Sequence, residues 1–342
     1  MRILVSDAVL ADRAQWPDFE SLLDRARFNR CYVDAANPAA VSANPWLQQA
    51  DPSRQAVWSS MTGWAARDAA LFRMRTMVAD PNPNPAARPY PRISLRDAIS
   101  LVDQPDVLWV ENDRNDRRFL LSMMPAEQRA MFHAWEANGS FRFDSRGGLG
   151  ELRVALEELT ARGTLDPRKN RALFDSDGEV PGDMSRDAAN MVAFCQRTNL
   201  DAHCLQRRAI ENYIPRKALW GWANSGGRDG NERRDKLRAF YRMNTGQRDH
   251  FRMKRGWENQ MSARVTAHFA DVPAADRVAL ANGIDGDIAS VYETFMNSIH
   301  EWASDEGIEP DLQAMINNLT DWLRVALPRS GVLRDLLCGH QN

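Results

Sequence analysis

The chain has 342 residues, of which 44% are apolar and 26% charged, and its formal net charge is −2. This composition is typical of a soluble globular protein, and the length allows two domains or one large domain. No apolar run approaches the roughly 20 residues that span a bilayer, and the N-terminus lacks the apolar core of a signal peptide. The four cysteines are scattered without zinc-site spacing. We therefore expect a cytoplasmic protein with no membrane partner.

Residues 1–80 predict a small α/β segment. The first ten residues and residues 30–35 are predicted as strands, and residues 55–80 as a long helical stretch that ends before Pro81. Residues 81–92 contain five prolines, which exclude a helix or an interior strand. We interpret residues 81–92 as a linker.

Residues 93–256 alternate between short apolar runs and helical patterns. The runs VLWV, FRF and ALF, at 107–110, 141–143 and 172–174, have the length of strands. Continuous apolar strands separated by helices are typical of a parallel sheet that is covered on both faces. The fold class is therefore predicted as α/β, with a helical region over 257–342.

Two of these strands run directly into carboxylates. The first group is Glu111, Asp113 and Asp116, and the second is Asp175, Asp177 and Glu179. Ligands of open parallel sheets bind beyond the carboxyl ends of the strands, so we expect Glu111 and Asp175 to converge if their strands are neighbours. Carboxylates this close together need raised pKa values or a bound cation. Hard oxygen ligands suit Mg²⁺ or Mn²⁺, and two such ions can promote phosphodiester cleavage.

Two other interpretations of the second group remain open. The sequence DSDG is an ordinary turn, in which Gly178 can supply a positive φ. It is also similar to the first motif of haloacid-dehalogenase-type phosphatases, whose first aspartate, here Asp175, is a nucleophile. That motif normally opens its domain, whereas here a strand that ends in Glu111 precedes it.

Three motifs in this order resemble those of TOPRIM domains. VLWVENDRNDRRFL (107–120) resembles the first TOPRIM motif, and RALFDSDGEVPG (171–182) resembles the Asp-x-Asp motif. CLQRRAIENYIP (204–215) resembles a segment of OLD-type TOPRIM nucleases and their relatives in phage defence. The resemblance covers about 105–255, less than half of the chain.

The resemblance implies a set of site residues. The catalytic residues would be Glu111, Asp175, Asp177 and Lys254, and the ligands of one or two Mg²⁺ or Mn²⁺ ions would be Glu111, Asp116, Asp175, Asp177, Glu179 and Glu211. Glu111 would act as general acid/base or organise the metal, and Lys254 would stabilise charge on the phosphate. The chain departs from the family at Asn112, where glycine is usual. The spacing from Glu111 to Asp116 is one residue longer than usual, so Asp113 is the alternative to Asp116.

Residues 207–255 are strongly basic, with 14 Lys and Arg against five Asp and Glu. Lys and Arg contact nucleic-acid phosphates and aromatic rings stack on bases, and Phe251 and Trp257 lie among these cations. The predicted nucleic-acid contacts are Arg207, Arg208, Arg216, Lys217, Arg252, Lys254 and Arg255. Charged helical stretches such as 231–240 are better explained as solvated surface.

The leading hypothesis is a metal-dependent TOPRIM nuclease that cuts DNA, or alternatively RNA, as an effector of bacterial anti-phage defence. The chain has no Walker A sequence, so an ATPase or sensor would be a partner protein, and a homo-oligomer is left open. The second hypothesis is a TOPRIM-like module that binds nucleic acid or a partner ATPase without cutting. The third is the phosphatase.

Overall fold

The computed structural model describes residues 1–28, 30–38, 44–71, 74–225, 227–257, 261–307 and 310–323. Over these residues the chain is α/β, as predicted, with two four-stranded sheets. It divides into two compact units. The first unit comprises Met1–Asp106, Ala130–Arg142 and the described residues from Asn317 on, and the second comprises Val107–Arg129 and Phe143–Ile316. Residues 324–342 of the predicted helical region, with Cys338, lie outside the described residues.

The first unit is built on a parallel sheet with the strand order β2-β1-β3-β4. Its strands are β1 (Arg2–Val5), β2 (Tyr32–Ala35), β3 (Thr76–Ala79) and β4 (Arg92–Ile93). Its helices are α1 (Asp7–Ala11), α2 (Trp16–Arg27), α3 (Pro45–Gln49), α4 (Pro52–Leu71) and α5 (Leu95–Asp103). In its core the ring of Phe19 packs edge-on against Trp46 and Trp58, at 4.8 and 5.5 Å between centroids.

Two predictions for this part of the chain need correction. The helix predicted over 55–80 ends with α4, and Thr76–Ala79 is a strand because Met77 and Ala79 are buried in the sheet. Residues 81–92 are more than a linker, because the backbone N–H of Arg92 donates to the carbonyl of Asn84 (2.9 Å) and Arg92 begins β4. The proline-rich segment thus returns the chain to the same sheet.

The second sheet has the strand order β6-β5-β7-β8. Its strands are β5 (Asp106–Val110), β6 (Phe141–Ser145), β7 (Asn170–Phe174) and β8 (Asp201–Cys204). β7 pairs in parallel with both β5 and β8. Helices α8 (Leu149–Ala161) and α9 (Arg186–Thr198) cover one face, where Leu152, Leu156, Met191 and Phe194 form a core with Phe174. The parallel neighbours β5 and β7 place the residues that follow them at one edge.

The remaining helices are α6 (Asp113–Met123), α7 (Ala126–Ala137), α10 (Arg216–Ser225), α11 (Gly230–Arg242), α12 (Thr245–His250), α13 (Ala263–His268), α14 (Ala274–Ala279), α15 (Val291–Thr294), α16 (Ile299–Glu306) and α17 (Pro310–Leu323). Within the predicted helical region, Ile288, Val291, Phe295, Ile299 and Trp302 have the spacing of one helix, but the structure has two short helices there, α15 and α16. The described residues from 261 to 316 belong to the second unit, where Tyr292 of α15 packs on Phe119 of α6, 5.3 Å between ring centroids.

Candidate active site

The first acidic motif is held by the start of α6. Asn112 caps the helix, and its side chain accepts the N–H of Asn115 at 3.1 Å. In return, Oδ2 of Asp116 accepts the N–H of Asn112 at 2.8 Å. Asp116 is buried whereas Asp113 is exposed. Between the two aspartates that the sequence left open, the structure places Asp116 in the cluster of acids.

Glu111 and Asp175 are in contact at the carboxyl edge of the second sheet. The backbone N–H of Asp175 donates to Oε1 of Glu111 at 2.9 Å. The carboxylate of Asp175 in turn accepts the N–H of Ile210 at 3.1 Å. The convergence expected from the neighbouring strands is therefore seen, and it extends to a third segment, the 3₁₀ turn Ile210–Tyr213.

The turn after Asp175 has a different geometry from the one its glycine predicts. The left-handed residue is Asp177, with φ of 49°. Gly178 is required for space, because a Cβ there would lie 2.3 Å from the carbonyl oxygen of Asp183. Asp177 is anchored by its N–H, which donates to the carbonyl of Arg208 at 2.8 Å, and its side chain is exposed.

Glu179 stands apart from the other predicted ligands. It is half-buried and lines a narrow cavity with Arg208, His250 and Arg252. In the described part of the chain, no hydrogen bond or ion pair joins it to Glu111 or Asp175.

Lys254 provides the positive charge of the cluster. Its Nζ lies 2.5 Å from Oε1 of Glu211, whose side chain is 4% exposed. Burial acts to lower the pKa of Lys254, but the charge of Glu211, with those of Asp175 and Asp116, outweighs it and leaves that pKa raised. Lys254 therefore carries a full charge among the acids, as its predicted role requires.

The electrostatics of the carboxylates show a shortage of positive charge. Burial raises the pKa of Glu111 to about 7, and the charges of Asp116 and Asp177 add to this. Burial, with the charge of Glu211, raises the pKa of Asp116 to about 6. The pKa of Asp175 is raised well above its ordinary value by burial and then by Glu111.

A divalent cation suits this cluster by charge and by ligand type, since carboxylate oxygens are the ligands that Mg²⁺ and Mn²⁺ prefer. Among the described residues, however, no three His, Cys, Asp or Glu side chains are grouped closely enough to hold a metal ion as they stand. The predicted ligands thus have the charge and the oxygen atoms that Mg²⁺ or Mn²⁺ requires. In the described part of the chain they do not form a preformed coordination shell.

The Asn and Tyr of the Glu-Asn-Tyr motif have structural roles that the sequence did not reveal. The amide of Asn212 donates to the carbonyls of Arg248 (2.8 Å) and Phe251 (3.0 Å). The hydroxyl of Tyr213 accepts the N–H groups of Gln206 and Arg207, both at 3.1 Å. The Asn212 bonds tie the turn that carries Glu211 to the segment that leads to Lys254, and the Tyr213 bonds tie the same turn to the residues that follow β8. The run of polar residues in IENY is the only signal that could have indicated this.

The predicted nucleic-acid contacts separate by exposure. Arg216, Lys217 and Arg255 are exposed, whereas Arg207, Arg252 and Lys254 are partly buried. Arg208 is only 8% exposed, so it does not belong to the predicted surface.

The two aromatic residues that the sequence places among these cations, Phe251 and Trp257, pack against each other. Phe251 is fully buried, and Trp257 packs against it and against Phe269, at 4.9 and 5.0 Å between ring centroids. The indole N–H of Trp257 donates to the carbonyl of Arg277 at 3.0 Å. Phe251 is a core residue of the second unit and cannot stack on a base, whereas Trp257 is half-buried against it and its predicted stacking stays a prediction.

Comparison of the chain with protein-family models, with curated proteins and with solved structures gives no match in any of the three. Among the described residues, no helix is both long enough and apolar enough to cross a membrane.

Proposed function

We propose that the second unit is a TOPRIM-like, divalent-cation-dependent nuclease that hydrolyses phosphodiester bonds of DNA, with RNA as the alternative substrate. One observation carries the proposal. Carboxylates from three chain segments converge here, since Glu111 accepts the N–H of Asp175 at 2.9 Å, Asp175 accepts the N–H of Ile210 at 3.1 Å, and Glu211 pairs with Lys254 at 2.5 Å. The charges of Glu111, Asp116, Asp177 and Glu211 add to burial in raising the pKa of Asp175. Perturbed titratable groups that converge at a sheet edge are typical of catalytic sites.

The proposed roles follow from the environment of each side chain. Asp116, Asp175 and Asp177 would hold Mg²⁺ or Mn²⁺. The bound cation would supply Lewis-acid stabilisation of phosphoryl oxygens and a water of lowered pKa. Glu111, whose pKa of about 7 is close to physiological pH, is suited to accept or donate a proton. Lys254 would stabilise charge that develops on the scissile phosphate.

A second candidate function is a TOPRIM-like module that binds nucleic acid or a partner ATPase without cutting. The observation that favours it is the ion pair of Lys254 with Glu211, together with the lack, among the described residues, of a preformed group of three metal ligands. The role in phage defence, the ATPase or sensor partner, the homo-oligomer and the cytoplasmic location stay predictions.

A plasmid-cleavage assay with Mg²⁺ or Mn²⁺ tests the proposal. We expect the purified chain to cut and both Glu111→Gln and Asp175→Asn to lose at least about 100-fold in rate, since each removes one charge from the cluster. Asp113→Asn is the matched control, because Asp113 is an exposed carboxylate on the same helix as Asp116.

Three outcomes contradict the proposal. Binding of DNA without cleavage under either metal favours the non-cleaving module. Phosphate release from small esters that depends on Asp175 favours the phosphatase. Equal activity of wild type and Asp175→Asn excludes the cluster as the site of hydrolysis.

A further inference from the structure

A cavity of about 450 Å³ lies beside the acid cluster within the second unit. Glu211 is a member of both, and the 3₁₀ turn Ile210–Tyr213, the start of α10 and parts of α11 and α12 form other walls. The charged and aromatic residues that matter here are Arg207, Arg216, Arg248, Tyr213, Tyr241 and Glu306. The cavity has the size of a small-ligand site, for which about 300–1,000 Å³ is usual.

Two guanidinium groups of this cavity share one aromatic ring. Arg216 and Arg248 lie over Tyr241, with their Cζ atoms 4.9 and 5.7 Å from the ring centroid. Arg248 also donates to the carbonyl of Met243 and to Oγ1 of Thr245. Among the described residues, neither guanidinium forms an ion pair with a carboxylate. Positive charge is therefore available in the cavity while the ring fixes its position.

The start of α10 adds backbone donors to the same wall. The N–H groups of Arg216 and Lys217 donate to the carboxylate of Glu306, at 2.9 and 3.4 Å. Glu306 itself is exposed. The first turn of this ten-residue helix thus already receives an oxyanion, as expected from its free N–H groups and its dipole.

We propose that this cavity binds the phosphomonoester of a nucleotide, with its phosphate on the guanidiniums of Arg216 and Arg248. A phosphomonoester carries close to two negative charges at neutral pH, which matches two guanidiniums without a carboxylate partner among the described residues better than a singly charged diester does. Arginine also presents paired donors that suit phosphate oxygens. If the second unit is the proposed nuclease, this phosphate is the terminal phosphate of the strand that is cut. That identification rests on the proposed function, whereas the binding of a phosphomonoester does not.

The test measures binding by fluorescence anisotropy with the full chain and chelated metal. The probes are one single-stranded oligonucleotide with a 5′-phosphate, a 3′-phosphate or only hydroxyl ends. We expect one phosphorylated form to bind about tenfold more tightly than the hydroxyl form, since its phosphate oxygens accept charge-assisted hydrogen bonds from arginine. Arg216→Gln and Arg248→Gln should each remove this preference. The matched control is Arg238→Gln, an exposed arginine of α11 that pairs with Asp235.

Three results decide between the alternatives. Equal affinity for all three oligonucleotides, or a preference that survives Arg216→Gln with Arg248→Gln, overturns the proposal. A nucleoside monophosphate that competes as well as the phosphorylated oligonucleotide supports the cavity but assigns it to a free nucleotide. The binding assay contains no free metal, so its result does not depend on cleavage. If the chain prefers a phosphorylated end but fails to cut plasmid with Mg²⁺ or Mn²⁺, the proposed nuclease function is refuted and the proposed phosphate site is still supported.

Discussion

Glu111 accepts a hydrogen bond from the backbone N–H of Asp175, 2.9 Å from Oε1. This bond ties the residue that follows β5 to the residue that follows β7, and Asp175 passes the connection on to Ile210. A glutamine at position 111 keeps an oxygen that can accept the same bond, so Glu111→Gln removes charge and preserves geometry. The contact explains why Glu111 has both a structural and a proposed chemical role.

The stability of the metal-free protein should fall as pH rises. The pKa of Glu111 is raised from 4.5 to about 7 in the folded chain, and that of Asp116 is also raised. Between these two pKa values, 4.5 and about 7, the folded state binds more protons than the unfolded state. The stability gained from protonation is therefore lost as pH rises through about 7. The Glu111 shift alone corresponds to a loss on the order of 3 kcal/mol.

Urea denaturation with chelator, from about pH 5 to pH 8, measures this loss. Glu111→Gln should make the profile less steep, because it removes one of the groups with a raised pKa and keeps the hydrogen bond to Asp175. A profile of Glu111→Gln as steep as that of the wild type would contradict the assignment.

Divalent cations should restore the stability that is lost at high pH. A ligand that binds only the folded state at 100 times its dissociation constant stabilises it by about 2.7 kcal/mol. We therefore expect Mg²⁺ or Mn²⁺ to raise the melting temperature at about pH 8 by several degrees. Asp175→Asn should lose this response, whereas Glu179→Gln should keep it, since Glu179 lies in a separate cavity. An unchanged melting temperature of the wild type would refute a metal site here.

The sequence was sufficient to predict the position of candidate site residues where a strand leads directly into them. The apolar run before Asp175 predicted β7, and the parallel pairing of β5 with β7 brought Glu111 to the same edge. The sequence pattern did not separate β3, which contains Met77, from the helix before it. The reason is that the short strand is as rich in apolar residues as the end of the helix. The sequence pattern failed again at Phe251, which the sequence places among exposed cations but which is buried against the rings of Phe240 and Trp257.

Asn212 should position Lys254 without touching a substrate. Its amide bonds to the carbonyls of Arg248 and Phe251 fix the chain just before the lysine. Asn212→Asp removes both donors at nearly constant volume and should cost about 2 kcal/mol in free energy of unfolding. Hydrogen exchange should increase selectively over residues 245–255 while β5 and β7 remain protected. Uniform loss of protection across the second unit would indicate a general folding defect instead.

Replacing Lys254 should lower both stability and cleavage, and a second replacement at Glu211 should restore only the stability. Lys254→Met leaves Glu211 buried without its cation, and because the lysine side chain is 39% exposed, we expect a cost of about 2 kcal/mol, below the usual range for a fully buried pair. Adding Glu211→Gln removes the unpaired charge, so the double variant should regain most of the stability.

Cleavage should not recover in the double variant, because the ammonium of Lys254 that would stabilise the phosphate is still missing. We expect a loss of about 100-fold in Lys254→Met and in the double variant. Denaturation and plasmid cleavage of the two single variants and the double variant form a double-mutant cycle. Recovery of cleavage together with stability would show that Lys254 only neutralises Glu211, and its proposed role at the scissile phosphate would then be wrong.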